Sequence, residues 1–309
     1  MVIIFSIPSD ISTSKVMEWI YHYGETVLRI NSSKNIFENY STLTNANQSH
    51  NNSVWIRKKP IQVFPKNIPT EWSETIQKNL LTEYETYWNN LCHILQHGNR
   101  RVLCPTSQDL NKLSILQLCE NLKIPIPESI LVSCKTDLLV FLNKHPQSIV
   151  KPLSNGFHIQ QDRTVWTTYT TKITTHFLES LPAVFFPCLV QQEIEKQAEI
   201  RSFYLDGKFY SMCSFYPKNN TEIVDGRKYA RQQKIRYVNY KLPSIFEKQL
   251  QTLMQEIGLN TGSFDIILCN NGEHCMLELN PFGQFDVLVR NCNYPLEKEI
   301  AKYLITKND

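Results

Sequence analysis

Apolar and polar positions alternate in three different rhythms along the chain. The opening run Met1-Val2-Ile3-Ile4-Phe5 is continuously apolar, and residues 2–7 are expected to form a first strand. From Ser12 to Tyr23 the apolar positions Val16, Ile20 and Tyr23 recur at helical spacing, and Gly24 marks the stop. Thr26 to Ile30 reads as a second strand, residues 31–53 as a polar loop rich in Asn and Ser, and Val54-Trp55-Ile56-Arg57 as a third strand. A long helical region covers 71–97, and Arg101 to Pro105 closes this first part.

A new unit begins near Thr106, with Ser107 as helix cap and Leu110, Leu113, Leu116, Cys119 and Leu122 as an apolar stripe ended by Pro125 and Pro127. Strands are expected at Ile130–Val132 and Ile149–Lys151 around a short helix near Asp137–Asn143, with more at Val165–Tyr169 and Ala183–Ile194. Ile200–Leu205 and Lys208–Phe215 flank Asp206-Gly207, a strong hairpin signal. Ser244 and Glu247 form an expected capping box for a helix whose Leu250, Leu253, Met254 and Ile257 share a face, and Gly258 stops it. Ser263–Leu268 and Cys275–Asn280 flank Asn271-Gly272, a second hairpin, and Leu296–Leu304 is a final helix.

Composition narrows the classes. With 309 residues, 42% hydrophobic and 20% charged, the chain can bury cores, and its length suits two or three modest domains. No apolar run is long enough for a membrane span, and the short N-terminal run without basic residues reads as strand and not as a secretory signal. A net charge of +3 gives no nucleic-acid footprint. Nine cysteines without a C-x-x-C pair suit a reduced, cytoplasmic protein, so the Asn-x-Ser/Thr triplets are a by-product of composition. There is no P-loop, no G-x-G-x-x-G after a strand and no G-x-S-x-G. His93 and His97 share a helix face but lack an intervening Glu, and read as surface histidines.

The second hairpin carries the chemistry. With Asn271-Gly272 as a two-residue loop, Asp265 sits directly opposite Glu278, and Asn280 points to the same face. Two like charges opposite each other among Phe264, Ile266, Ile267, Met276, Leu277 and Leu279 need a neutralising partner. Three oxygen-bearing side chains suit a hard cation such as Mg²⁺. The alternative is a solvated sheet face in a different register.

Thr261-Gly262-Ser263-Phe264-Asp265-Ile266, followed by Met276-Leu277-Glu278-Leu279-Asn280-Pro281, resembles the metal-binding end of the ATP-grasp superfamily. Asn111-Lys112-Leu113 heading a helix, Ile149-Val150-Lys151-Pro152 before Ser154-Asn155-Gly156, Val190-Gln191-Gln192-Glu193-Ile194, and Glu199-Ile200-Arg201 extend it in the same order over residues 105–309. Within the superfamily the chain looks like the peptide maturases of graspetides, the microviridin-type and grasp-with-spasm macrocyclases. The pointers are the N-terminal strand-helix-strand, Val54–Arg57, the long Asp225–Pro243 stretch, and Gly283-Gln284-Phe285 running into Cys292–Lys298.

That resemblance implies an α/β (α+β) ATP-grasp fold: a pre-grasp domain over 1–105, a central subdomain over 106–190, and a C-terminal subdomain with the metal site over 191–309. It implies ATP and a pair of Mg²⁺ ions as cofactors. Lys112 and Lys151 would hold phosphates, and Ser154, Asn155 and Gly156 would form the loop above them. Gln192, Glu193 and Ile194 would line the adenine site, Glu193 and Ile194 through backbone groups. Glu199 would take the ribose hydroxyls, and Arg227 would add a phosphate contact. Asp265, Glu278 and Asn280 would hold metal, and Arg201 would be catalytic. Taken singly, the lysines read equally as surface residues, Glu199 and Arg201 as members of a cross-strand ion pair, and the basic run Arg227–Arg236 as a solvated face.

The implied activity is phosphorylation of Asp or Glu side chains in a ribosomal precursor peptide, bound through leader and core, and ring closure with Ser, Thr or Lys as ester or amide. The protein would be a homodimer with no nucleic-acid or membrane partner. A ligase joining an amino acid to a small-molecule or protein carboxylate shares the same nucleotide residues, and a non-catalytic peptide-binding module is the reading from another class. The tyrosine-rich 203–240 region favours a peptide, and the intact Lys112, Lys151, Asp265, Glu278 and Asn280 set favours turnover.

Overall fold

A computed structural model describes residues 1–39, 41, 43, 53–63, 73–96, 101–103, 110–153, 158–161, 164–167, 170–217 and 235–306. The first part is a parallel sheet with strand order β2-β1-β3-β4, formed by β1 (Val2–Phe5), β2 (Val27–Ile30), β3 (Ser53–Ile56) and β4 (Val102–Leu103). Helices α1 (Ile11–His22), α2 (Ser33–Glu38) and α3 (Ser73–Gln96) connect them. A parallel sheet covered on both faces needs strands that are apolar throughout, and β1 and β3 are buried at every position. On one face Ile3, Phe5, Val54 and Ile56 meet Tyr84, Trp88, Leu91 and Leu95 of α3. On the other, Val2, Ile4 and Trp55 meet Val16 and Ile20 of α1. The segment expected to be loop over 31–53 contains α2. Its cap is local, Ser32 accepting from the Asn35 amide at 3.3 Å, and its one anchor is Ile36, too little apolar periodicity to stand out in a polar stretch.

The middle part comprises α4 (Lys112–Asn121), β5 (Ser129–Cys134), α5 (Lys135–Lys144), β6 (Ser148–Lys151), β7 (His158–Gln161), β8 (Thr164–Thr167), β9 (Thr171–Lys172), α6 (Thr175–Ser180) and β10 (Val184–Gln192). Its sheet is antiparallel in the order β5-β10-β6-β9, with β7 and β8 paired separately. The expected cap Ser107 lies outside the described residues. The helix begins at Lys112, with Asn111 and Ser114 forming a reciprocal capping box. Its buried face is Ile115, Leu116 and Cys119, while Leu113 is exposed. A strict three-residue step turns about 300° and drifts around a helix of 3.6 residues per turn, so the expected stripe could not remain on one face.

The last part holds β11 (Lys196–Leu205), β12 (Lys208–Phe215), β13 (Arg236–Tyr240), α7 (Ser244–Glu256), β14 (Thr261–Cys269), β15 (His274–Asn280), α8 (Asp286–Cys292) and α9 (Leu296–Ile305). Its antiparallel sheet runs β13-β12-β11-β14-β15. Leu250, Leu253 and Met254 of α7 are fully buried against Ile200, Phe264, Ile266 and Met276, and Ile115 and Cys119 of α4 join the same core. At the other end of the chain, Leu296, Ile300, Ala301 and Leu304 of α9 pack under Val2, Ile4 and Trp55. The helices therefore tie together sheets that are far apart in sequence.

The expected capping box at Ser244 and Glu247 does not form. The helix starts one residue earlier than that motif requires, with Pro243 at the cap position and no side-chain cap. Glu247 accepts instead from Lys241, both oxygens at 2.8 Å.

Candidate functional site

Three strands and one helix end assemble an acidic row. On β11, Arg201 lies opposite Asp265 of β14, and Asp265 lies opposite Glu278 of β15. Asn280 lies opposite Ser263, two positions further along the same face. The pairing expected from the turn signal is observed at the site, although the turn itself differs. The loop is one residue longer, with Cys269 paired to Glu273 by a 2.8 Å backbone bond and Gly272 at φ 86°. Near the turn Ile267 faces Cys275 and Ile266 faces Met276; a bulge then leaves Leu277 unpaired before Asp265 meets Glu278. The bulge aims Glu278. In a regular strand Glu278 would share the face of Met276, which is fully buried in the core; the extra residue turns it to the other side.

Each carboxylate is met by a cation from a different direction. Arg201 donates from Nε and Nη2 to the two oxygens of Asp265 at 2.8 and 2.9 Å, a bidentate pair. The Lys112 ammonium stands 3.8 Å from Glu278. Lys112 is not a member of the expected stripe Leu110, Leu113, Leu116, Cys119 and Leu122. In the structure it sits one turn before Ile115 and Leu116 on the same side, and all three line a cleft together with Lys151, Leu189, Gln191, Leu277 and Glu278. Lys151 ends β6 opposite Leu189. It also lies beside Cys275 of β15, whose thiol is pushed up to about 12 by burial and the nearby Cys269 against the opposing pull of Lys151.

The remaining expected residues divide clearly. Glu199 shares the Arg201 face of β11; its oxygens are held by Lys196 and by the Tyr216 hydroxyl, each at 2.5 Å. The Glu193 amide is donated to the Gln147 carbonyl at 2.9 Å, so of its two backbone groups only the carbonyl is left to serve a base, and its side chain pairs with Lys172 at 2.7 Å. The Gln192 amide is likewise used, by the Glu128 carbonyl. It is Gln191, which sequence reasoning passed over, that lines the cleft. Its side chain donates to Ser129 Oγ at 3.0 Å, and Ser129 in turn donates to the Pro127 carbonyl at 2.8 Å, an arrangement that orients the carboxamide oxygen away from Ser129. That oxygen is buried without a hydrogen-bond partner among the described residues. The alternation of β10 carried the signal, since Gln191 shares its face with Leu189. Ser154, Asn155, Gly156 and Arg227 lie outside the described residues.

The residues present fit a hard divalent cation. Two carboxylates and a carboxamide, all oxygen donors, share one sheet face, and Mg²⁺ takes few protein ligands. Among the described residues no group of three His, Cys, Asp or Glu side chains is placed to hold a metal. Asn280 is fixed from the following turn: its side-chain oxygen accepts from the Phe282 amide and its carbonyl from the Gly283 amide, both at 3.1 Å.

No protein-family model and no curated protein matches this chain. Solved structures do match it in shape over its full length. The macrocyclase MdnC bound with precursor peptide MdnA, from Microcystis aeruginosa MRC, superposes with a TM-score of 0.76 at 21% identity over 99% of both chains. A Chryseobacterium gregarium RiPP-associated ATP-grasp ligase in complex with ADP and a leader and core peptide gives 0.77 at 18% identity, over 100% of this chain and 97% of that one. The ATP-grasp ligase PsnB complexed with minimal precursor, Mg and ADP gives 0.71 at 15% identity, over 98% and 96%. The chain has the mixed α/β fold of the ATP-grasp ligases. Among the described residues no helix is long and apolar enough to cross a membrane.

Proposed function

We propose that this protein is an ATP-dependent carboxylate ligase that closes side-chain rings in a ribosomal precursor peptide. The observation that carries the reading is the row Arg201–Asp265–Glu278, whose Glu278 lines one cleft together with Lys112 and Lys151. The neighbours of the same fold that were solved with precursor peptides, ADP or Mg support the choice of substrate class. We further propose the division 1–105, 106–190 and 191–309, a cytoplasmic location and a homodimer.

Lys112 and Lys151 act as point charges on the phosphates of ATP, while Gln192, Glu193 and Ile194 border the base and Glu199 the ribose. A divalent cation held by Asp265, Glu278 and Asn280 supplies charge neutralisation along the phosphates. Arg201 faces the incoming carboxylate. A fixed guanidinium there offsets the repulsion between two anions as they approach. The side-chain carboxylate of a peptide Asp or Glu bonds to the γ-phosphorus, the bond to the β-phosphate oxygen breaks, and ADP leaves. A Ser or Thr hydroxyl, or a Lys amine, of the same peptide then adds to the acyl phosphate carbon. Phosphate departs, the nucleophile's proton passes to the medium, and the ring is an ester or amide. Both reactants belong to one peptide, which supplies the proximity advantage.

The test is incubation of the purified protein with Mg-ATP and candidate precursors carrying acidic cores, followed by intact mass. Stepwise losses of water support the macrocyclase. Gain of one residue's mass identifies a ligase that adds an amino acid, and retained peptide binding without any mass change identifies a binding module.

A further inference from the structure

The turn that follows Asn280 is held from the opposite end of the chain. Arg57, directly after β3, is only 3% exposed, and its Nη1 donates to the carbonyls of Phe282 at 2.7 Å and Gly283 at 2.5 Å. These are the two residues whose amides fix the side-chain and backbone oxygens of Asn280. The guanidinium is neutralised in place: Asp10 lies 3.2 Å from Nε and Asp286 lies 4.0 Å from Nη2. Its Cζ stands over the rings of Trp55 and Phe285, at 5.9 and 5.2 Å from their centroids. From the far side the turn rests against Phe203. Gly283 has φ 54°, and a Cβ there would stand 2.8 Å from that ring. The turn is thus both bonded by an arginine and packed closely against an aromatic ring.

We propose that Arg57 is a positioning residue of the metal site, holding Asn280 in its liganding orientation through the Phe282–Gly283 turn. The inference rests on the reading of Asn280 as a ligand. Groups that orient a metal's own ligands set its affinity by about ten- to a hundredfold. Arg57 also makes the N-terminal sheet part of the site, although none of that sheet's strands lines the cleft.

The experiment is calorimetric titration of Mg²⁺ into the ADP-saturated protein, alongside ADP affinity in EDTA and thermal unfolding. Arg57→Lys keeps a positive charge, but its one nitrogen cannot both pair with Asp10, as Nε does, and hold the two carbonyls, as Nη1 does. Its Mg²⁺ affinity should fall about tenfold with ADP affinity in EDTA unchanged. Unchanged Mg²⁺ affinity overturns the proposal, as does a parallel loss of ADP and Mg²⁺ affinity, which would make Arg57 merely structural. Should Arg57→Lys fail to fold, Gly283→Ala displaces the same turn from the Phe203 side with the Arg57–Asp10 pair intact; it should weaken Mg²⁺ binding equally, and unchanged binding overturns the proposal. Asn280→Ala and Glu278→Gln separate the two layers. If both bind Mg²⁺ normally, the metal reading itself falls; if they lose it while Arg57→Lys does not, only the role of Arg57 falls.

Discussion

Replacing Arg201 with Ala should have opposite effects on metal binding and on chemistry. In the structure both oxygens of Asp265 are taken by the Arg201 guanidinium, at 2.8 and 2.9 Å, so a cation arriving without nucleotide must compete with a charge already in place. The side chains are 34% and 40% exposed, and a pair that open to water is worth no more than about 1 kcal/mol. Removing it should therefore tighten nucleotide-free binding of Mn²⁺, a spectroscopically visible substitute for Mg²⁺, by roughly fivefold. With ATP present the same variant lacks the group that meets the incoming carboxylate, and ring formation should drop by about a hundredfold or more. Electron paramagnetic resonance of free Mn²⁺ measures the first effect and intact mass the second. Unchanged or weaker Mn²⁺ binding by Arg201→Ala would show that the pair does not screen Asp265. Normal ring formation would remove Arg201 from the reaction.

Three further outcomes are expected. Glu278→Gln keeps its shape but loses the charge that a shared cation needs, so turnover should vanish while the unfolding midpoint hardly moves; cyclisation at the normal rate rules out the metal role. Lys112→Met and Lys151→Met should each weaken ATP binding without altering peptide affinity in the absence of nucleotide, and unchanged ATP titrations would return both to ordinary surface lysines. Burial works to raise Asp10, but Arg57, Lys58 and the Thr13 amide outweigh it and hold the carboxyl below its ordinary value. Its contribution is present above the unfolded value of about 4 and lost as pH falls through the lower folded value. Asp10→Asn should then lower stability by about 3 kcal/mol at pH 7, with the gap to the parent protein closing below about pH 4 in denaturant titrations; a gap that does not change with pH argues against the pair.

How far the sequence could be read depended on whether the signal was local. The Asp206-Gly207 turn joins Leu205 to Lys208 as its residue types require, with φ 44° and 85° at the two turn positions. Asp265 opposite Glu278 was legible too, yet by two shifts that cancel, a longer loop and a bulge. Where only one shift occurs, the reading slips by a residue: Glu247 misses its cap because Pro243 holds that position. Arg57 gave no local sign of its partners, since the carbonyls it holds are 225 and 226 residues away along the chain. Long-range polar contacts of this kind follow from the packing of α1, α8 and the sheets, which no window of sequence contains.

The unpaired Leu277 behaves as a phase slip in the alternation of β15. Before it, odd and even positions divide between the two faces of the sheet in one sense; after it, the assignment is exchanged. Length, and not residue identity, is consequently the vulnerable property of this short segment. Another apolar side chain at Leu277 leaves the acidic row standing. Loss of the residue would return Glu278 to the phase of Met276 and drive a carboxylate toward Phe264 and Ile266, while Leu279 would be turned away from that core. A strand that is mostly core thus presents two polar groups to a ligand without giving up its packing, and a single inserted residue separates the two tasks.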